Sequence, residues 1–343
     1  MRKFIKTGLA TAGGWIPHAG LIRLTGQDFI VPMYHTVSNH PLPHVDQLYP
    51  VRSLARFKRD LDFLTRHYRP VGLETLLERR KGQVKSSRPC MFLTFDDGLS
   101  GIYDTVAPEL LKRRIPAAFF ISTDFIDNQD LFFRYKASLL LDRLENMRYP
   151  PAIREIFQRR FHLERAGRKD IRRLILGVDY QRRAELDEMA RLVDLDFQAY
   201  LKIRKPYLTT MQIQELAGSG FYIGAHGCDH PLFAGLGQAE RLTQYRKSLT
   251  RVREAFRLSY GLFSFPFTDD GVPCSFFAAI SSEGMPPVDA TFGTAGLKRE
   301  PIELHYQRIP MEVGRLPASR LLKGEYAYYL LKALLDRNKI TRE

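Results

Sequence analysis

Two short stretches hold residue types that could do chemistry. The first is TFDDG, residues 94–98, where Asp96 and Asp97 follow the apolar run MFLTF. Neighbouring ionised carboxylates repel, and partial burial raises the pKa of one unless a cation offsets the pair. A helix N-cap explains one of them, since a carboxylate there accepts backbone N–H bonds and suits the helix dipole. It explains one better than two, so the pair also reads as a place for a cation or a proton. The second stretch is IGAHGCDHP, residues 223–231, with His226 and His230 four apart. On a helical turn that spacing puts both imidazoles on one side, and imidazole with carboxylate suits Zn²⁺ or a similar ion. Gly224, Gly227 and Pro231 point instead to a tight turn, where a pair of solvent-exposed loop histidines is the plain alternative.

The elements around these stretches alternate. FIVPMYHTV (29–37), MFLTF (91–95) and AAFFIS (117–122) read as strands. Between them Leu54, Phe57, Leu61 and Leu64, then Ile102, Val106 and Leu110, recur at helical spacing. FYIGA (221–225), LFSFPF (262–267), VDATFGT (288–294) and HYQRIPM (305–311) continue the series, with a long helix at about 238–258. Thr209 or Thr210 is placed to cap the helix before FYIGA. Strand–helix order with short connections marks parallel strands, and seven such strands predict an irregular (β/α)7-type barrel. Both chemical stretches then fall at C-terminal strand ends, where parallel α/β folds gather their sites. Residues 127–205 hold no clear strand. Phe133, Ala137, Leu140, Leu141, Leu144 and Met147 form one helical stripe there, which predicts a helical, Arg-rich insertion.

Charge and composition narrow the class. The net charge is +14 over 343 residues. Residues 131–205 carry 18 Lys/Arg against 11 Asp/Glu, and residues 1–27 carry four basic residues and no acid. A basic face suits anionic lipid or an acidic glycan, and a solvated surface of mixed charge is the plain reading. Neither zinc-finger spacing nor an RNP-like motif is present, so nucleic acid is not an expected partner. No run approaches the roughly 20 apolar residues of a membrane helix. Cys90, Cys228 and Cys274 form no CxxC pattern, which fits a reducing compartment. These features predict a cytoplasmic location, peripheral to a membrane through the basic leader 1–28 and Trp15, with export left open.

TFDDG at 94–98 and HGCDH at 226–230, in this order, resemble the first two motifs of the polysaccharide deacetylases, the NodB-homology or carbohydrate esterase 4 family. MYHTV at 33–37, GSGFYIGAH and FSFPF at 263–267 resemble the bacterial branch with Tyr-His on its first strand. The resemblance covers about 29–125 and 206–312. It implies a NodB-like barrel that removes N-acetyl groups from amino sugars of a polysaccharide or lipid-linked glycan. It implies that Asp97, His226 and His230 hold a divalent metal, Zn²⁺ first and Co²⁺ or Ni²⁺ as alternatives, and that Asp96 is the general base. A backbone N–H near Phe267 would face the acetyl oxygen. A catalytically silent glycan-binding or membrane-surface protein on the same fold is the alternative.

Two departures from the family pattern are visible. Its third motif brings an arginine beside the proline to orient the base, and residues 262–268, LFSFPFT, contain none. Arg308 would pair with Asp96 if it faces inward, and Asp269 or Asp270 of TDDG could replace the orienting group unless they form a surface turn. The last motif, which brings a histidine as general acid, is also missing. His35 and His305 are the candidates for that role, His35 at a strand end and His305 at a strand start. The expected organisation is a leader at 1–28, a barrel from 29–126 and 206–320, the insertion at 127–205 and a C-terminal helix at 321–343.

Overall fold

The computed structural model describes residues 16–80 and 88–343. Residues 1–15 of the expected leader, Trp15 included, lie outside the described residues. The chain begins with α1 (His18–Thr25), β1 (Phe29–Ile30), β2 (Pro32–Tyr34), α2 (Leu54–His67), β3 (Arg69–Pro70) and α3 (Leu73–Arg80). It continues with β4 (Cys90–Met91), β5 (Leu93–Phe95), α4 (Ala107–Arg113) and β6 (Ala117–Ile121). Five helices follow: α5 (Phe133–Asn146), α6 (Pro151–Arg160), α7 (Arg168–Gly177), α8 (Glu185–Leu192) and α9 (Phe197–Arg204). Then come α10 (Thr210–Gly218), β7 (Tyr222–Ala225), α11 (Gln238–Ala255), β8 (Leu262–Ser264) and α12 (Cys274–Ile280). The last elements are β9 (Ala290–Gly293), β10 (His305–Gln307), β11 (Ile309–Pro310) and α13 (Ala318–Ala333).

Eight strands form one parallel sheet in the order β10-β9-β8-β7-β6-β5-β2-β11. Its two outermost strands, β10 and β11, are consecutive in the chain and separated only by Arg308. The Arg308 N–H donates to Gly293 O of β9 at 3.1 Å, and the Ile309 N–H to Val31 O beside β2 at 2.9 Å. One interrupted strand therefore bonds both edges of the sheet and closes it, so the barrel has seven staves. Closure leaves no free edge. A small sheet of order β1-β4-β3 lies before the N-terminal ends of β2 and β5.

Strand parity sorts the side chains. Ala117, Phe119 and Ile121 join the apolar layer beneath the helices, with Phe57, Leu61 and Leu110, whereas Ala118 and Phe120 join Phe92, Leu262 and Phe292 inside the barrel. Both faces are buried, which is why these strands read as continuous apolar runs. Gly224 is required by this interior, because a Cβ there would lie 2.5 Å from the Phe120 ring. The same parity aims His35, Asp96, His226, Ser264 and Arg308 inward.

Residues 133–204 contain the five helices α5–α9, built around their own core of Leu140, Leu144, Phe157, Ile175, Met189 and Leu201. Val45 and Leu99, from loops of the barrel, share that core. The described part of the leader is not a loose arm. In α1, Leu21 and Ile22 are buried and His18 Nε2 lies 2.7 Å from the Tyr68 hydroxyl. The C-terminal helix expected at 321–343 instead spans Ala318–Ala333. The remaining tail folds back, and Arg342 pairs with Asp269 and Glu300. A helix continued to 343 would carry that guanidinium away from two buried carboxylates. Among the described residues no helix is long and apolar enough to cross a membrane.

Candidate metal centre and active site

Asp96 extends β5 by one residue: its N–H donates to Tyr34 O at 2.9 Å. Its side chain therefore points into the barrel mouth, 2% exposed. There Arg308 holds it in a two-pronged pair, Nη1 to Oδ1 at 2.6 Å and Nη2 to Oδ2 at 2.7 Å. Arg308 is fully buried and also donates to Ser264 Oγ at 2.6 Å and Gly293 O at 3.1 Å. Burial alone would raise the Asp96 pKa, but Arg308 and then His226 more than offset it, and the carboxyl is held below its usual range. The arginine lacking from 262–268 is thus supplied by the strand that closes the barrel.

Asp97 follows at φ 72° and Gly98 at φ 65°, a left-handed turn that reverses the chain. Aspartate tolerates this region and glycine adopts it freely. The turn swings Asp97 towards the second histidine stretch. Its Oδ1 lies 3.2 Å from His230 Nε2 and 3.5 Å from His226 Nε2. Burial raises the Asp97 pKa, yet His230 and His226 beside it bring it well below the usual carboxylate value. One ligand atom from each of Asp97, His226 and His230 falls within 4.8 Å of the others.

The His226 N–H continues the β6 ladder, donating to Ile121 O at 3.0 Å. Its Nδ1 is 2.9 Å from Ser264 O, an acceptor only, so Nδ1 donates there and Nε2 is the nitrogen turned towards Asp97. His230 lies at φ 62° beyond the Gly227 turn. Phe132 and Phe267 pack on its ring, with centroids at 4.2 and 4.7 Å. Gln244 of α11 ties the loop down, accepting from the Cys228 N–H at 2.8 Å and donating to Asp229 at 2.8 Å. Cys228 and Asp229 therefore turn away from the three ligand atoms.

This group fits a divalent cation. Asp97 Oδ1 is buried and accepts no hydrogen bond among the described residues, and it faces Nε2 of both His226 and His230. A buried carboxylate oxygen without a donor is costly unless a cation meets it, and two imidazoles with one carboxylate are a zinc-type donor set with open positions.

The two candidate acids separate. His35 directly follows β2, and its Nδ1 and backbone N–H both contact Glu312. Burial would lower the His35 pKa, but Glu312, with smaller contributions from Asp97 and Asp96, raises it to about 9. The side chain is 22% exposed. His305 is instead fully buried. Its Nδ1 lies 2.8 Å from Thr291 Oγ1 and its Nε2 2.9 Å from Asp269, so both ring nitrogens are occupied. His305 belongs to a separate polar knot with Asp269, Glu300, Gln307 and Arg342, and the structure does not bring it to the Asp97 group. A position at a strand start puts it away from the mouth. Asp269 is in that knot as well, 2% exposed, and is neither a surface turn nor the orienting group for Asp96.

The His35–Glu312 pair makes a pH-dependent contribution to stability. The folded pKa of about 9 exceeds the unfolded value near 6.5, so the contribution is complete below about pH 6.5 and lost as pH rises through about 9. In chelator-treated protein, the Tm gap between the parent and His35→Gln should narrow steadily from pH 6 to 9.5. A gap that stays constant over that range rules the pair out as a stabilising contact.

Sequence reasoning missed Glu312 and Tyr135. Tyr135, in α5, donates to Asp97 Oδ2 at 2.5 Å. Nothing in the local pattern around Tyr135 marks it, because it lies in the same helical stripe region as core residues.

No curated protein sequence matches this chain. Residues 83–169 match the family model of polysaccharide deacetylase, a span that includes Asp96 and Asp97 and ends before His226. Among solved structures, the chain is similar to the deacetylase PplD of Streptococcus pyogenes, solved with acetate, at 12% identity and TM-score 0.53, covering 86% of this chain and 97% of that one. It is similar to IcaB from Ammonifex degensii at 16% identity and TM-score 0.53, over 87% and 96% of the two chains. A de-N-acetylase from Aggregatibacter actinomycetemcomitans gives 13% identity and TM-score 0.52, over 86% and 99%. At such identities these likenesses speak for the fold, and the family match speaks for the acidic motif at the end of β5. The family match thus covers the segment with Asp96 and Asp97, and the solved deacetylases share the fold over most of the chain.

Proposed function

We propose that this protein hydrolyses the N-acetyl group of an amino sugar in a polysaccharide or lipid-linked glycan, with a divalent metal, Zn²⁺ first, held by Asp97, His226 and His230. The observation that carries the proposal is the buried, orphaned Asp97 Oδ1 facing two imidazoles, beside a second carboxylate that is ionised and oriented by Arg308. A bound divalent ion would supply Lewis-acid polarisation of the acetamide oxygen and a water of lowered pKa.

The rest of the work falls to the chain. Asp96 Oδ2 lies 3.7 Å from His226 Nε2, at the edge of the proposed metal position. It takes the proton of the attacking water, while Arg308 keeps the carboxylate ionised and fixed for that transfer. His35 is protonated through Glu312 and presents Nε2–H, the proton donor to the departing amine. The backbone N–H of Phe267, whose ring packs on His230, is the candidate donor to the acetyl oxygen. The products are acetate and a free amine on the sugar.

Purified protein treated with chelator should release no acetate from N-acetylglucosamine oligomers. Adding Zn²⁺ or Co²⁺ back should restore release, with one ion bound per chain. Replacing His226 by Ala should weaken that binding by more than tenfold, as expected for loss of a ligand. Acetate release that survives full chelation, or a parent protein that binds no divalent ion, overturns the proposal.

A further inference from the structure

We propose that Tyr135 is a positioning residue of the metal centre, contributed by the helical segment between β6 and β7. The inference rests on the metal-centre reading above and concerns which part of the chain completes it.

The two oxygens of Asp97 have different surroundings. Oδ1 faces His230 and His226. Oδ2 accepts from the Tyr135 hydroxyl at 2.5 Å. A carboxylate that ligates through one oxygen is free to rotate unless the other is held, and a buried donor is what holds it. Tyr135 is itself buried, 1% exposed, so it does not compete for water and its hydroxyl needs a partner in the protein. The second partner is the Tyr49 hydroxyl at 3.3 Å, and the Tyr49 ring packs on His35 with centroids 4.9 Å apart. The hydroxyls therefore connect Asp97, the proposed ligand, to the ring that packs against His35, the proposed proton donor.

The helix that carries Tyr135 is firmly placed. Ser138 of α5 donates to Pro43 O at 2.6 Å and accepts from the Gln47 N–H at 3.3 Å, which ties the helix to the loop leading to Tyr49. Phe132, just before α5, lies on His230, and its N–H donates to the Tyr207 hydroxyl at 3.0 Å. Leu140, Leu141 and Leu144 anchor α5 in the helical core. The segment that interrupts the strand–helix alternation thus contacts two of the three proposed ligands, Asp97 through Tyr135 and His230 through Phe132.

The test is metal affinity, read by competition with a chelator of known affinity. Tyr135→Phe removes one hydroxyl and keeps the ring. It should weaken Zn²⁺ binding by about 10–100-fold, the range for losing an outer hydrogen-bond partner of a ligand. Tyr200→Phe removes a hydroxyl from the same helical segment, one that meets His44 at 2.8 Å and not Asp97. It should bind Zn²⁺ as the parent does. Because coupling is reciprocal, Zn²⁺ added to the full parent chain should slow amide exchange across 133–146. That measurement holds even if Tyr135→Phe does not fold. A parent that binds Zn²⁺ while Tyr135→Phe binds within threefold of it overturns this inference alone, as does α5 exchange indifferent to bound Zn²⁺. A parent that binds no Zn²⁺ overturns the metal-centre reading together with this one.

Discussion

Asp96→Asn should lower acetate release by about 10²–10⁴-fold, the usual contribution of a positioned general base. The bound metal should remain, because Asp97, His226 and His230 keep their places. The amide cannot accept a proton from water at the relevant pH, and its NH₂ would face a guanidinium donor where the carboxylate faced it as an acceptor. Some stability is therefore lost together with activity. Measuring kcat, metal content and Tm on the same sample separates these effects. Release within tenfold of the parent, at full metal occupancy, would remove Asp96 from the role of base.

Arg308→Met should have the second-largest effect, on folding and chemistry together. Methionine approximates the length of the stem and carries no charge, so Asp96 is left buried with its main counter-charge gone. Breaking a buried pair by removing one partner typically costs about 3–5 kcal/mol. Ser264 Oγ and Gly293 O also lose their donor. The sign on the base follows from the balance at the site. Burial already pushes the Asp96 pKa up, and Arg308 is the largest of the groups that bring it down. Without Arg308 the pKa rises, and the acid limb of the pH–rate profile moves to higher pH. Arg308→Lys keeps the charge but not the two-pronged geometry, so it should recover stability more fully than rate. An acid limb that does not move in Arg308→Met, with unfolding free energy within about 1 kcal/mol of the parent, would refute the orienting role.

Arg308 also shows what a sequence motif stands for. The family resemblance looks for an arginine beside the proline of the third motif, and 263–267 has none. The physical requirement is a guanidinium against the proposed base carboxylate inside the barrel mouth. Ser264, at the end of β8, keeps an inward position and bonds the guanidinium that arrives from between β10 and β11. Distance in sequence is irrelevant to the pair, since a closed barrel brings every stave to the same interior.

Several features were legible from the residues. Apolar runs of strand length, separated by helical spacing, are set by local periodicity, so the seven staves and their order could be read directly. Asp96, Asp97, His226 and His230 stood out because charge and imidazole at the ends of buried strands conflict with burial unless they are used. Other features needed the folded chain. His305 and Asp269 read as a possible acid and a surface turn, but Arg342 returns from the C-terminal tail to neutralise their neighbourhood. His35 and His305 looked alike as histidines flanking strands. They differ because one meets Glu312 at the mouth and the other meets Asp269 and Thr291 deep in the protein.

The sequence by itself determined the barrel, its helical segment and the two candidate ligand stretches, because each is encoded by residues close together in the chain. Only the tertiary structure decided that Arg308 closes the sheet and holds Asp96, that Glu312 charges His35, and that Tyr135 meets Asp97. Those pairs join residues 212, 277 and 38 positions apart. Local pattern carries no information about such contacts, which exist only once burial has brought opposite charges and donors to the same place.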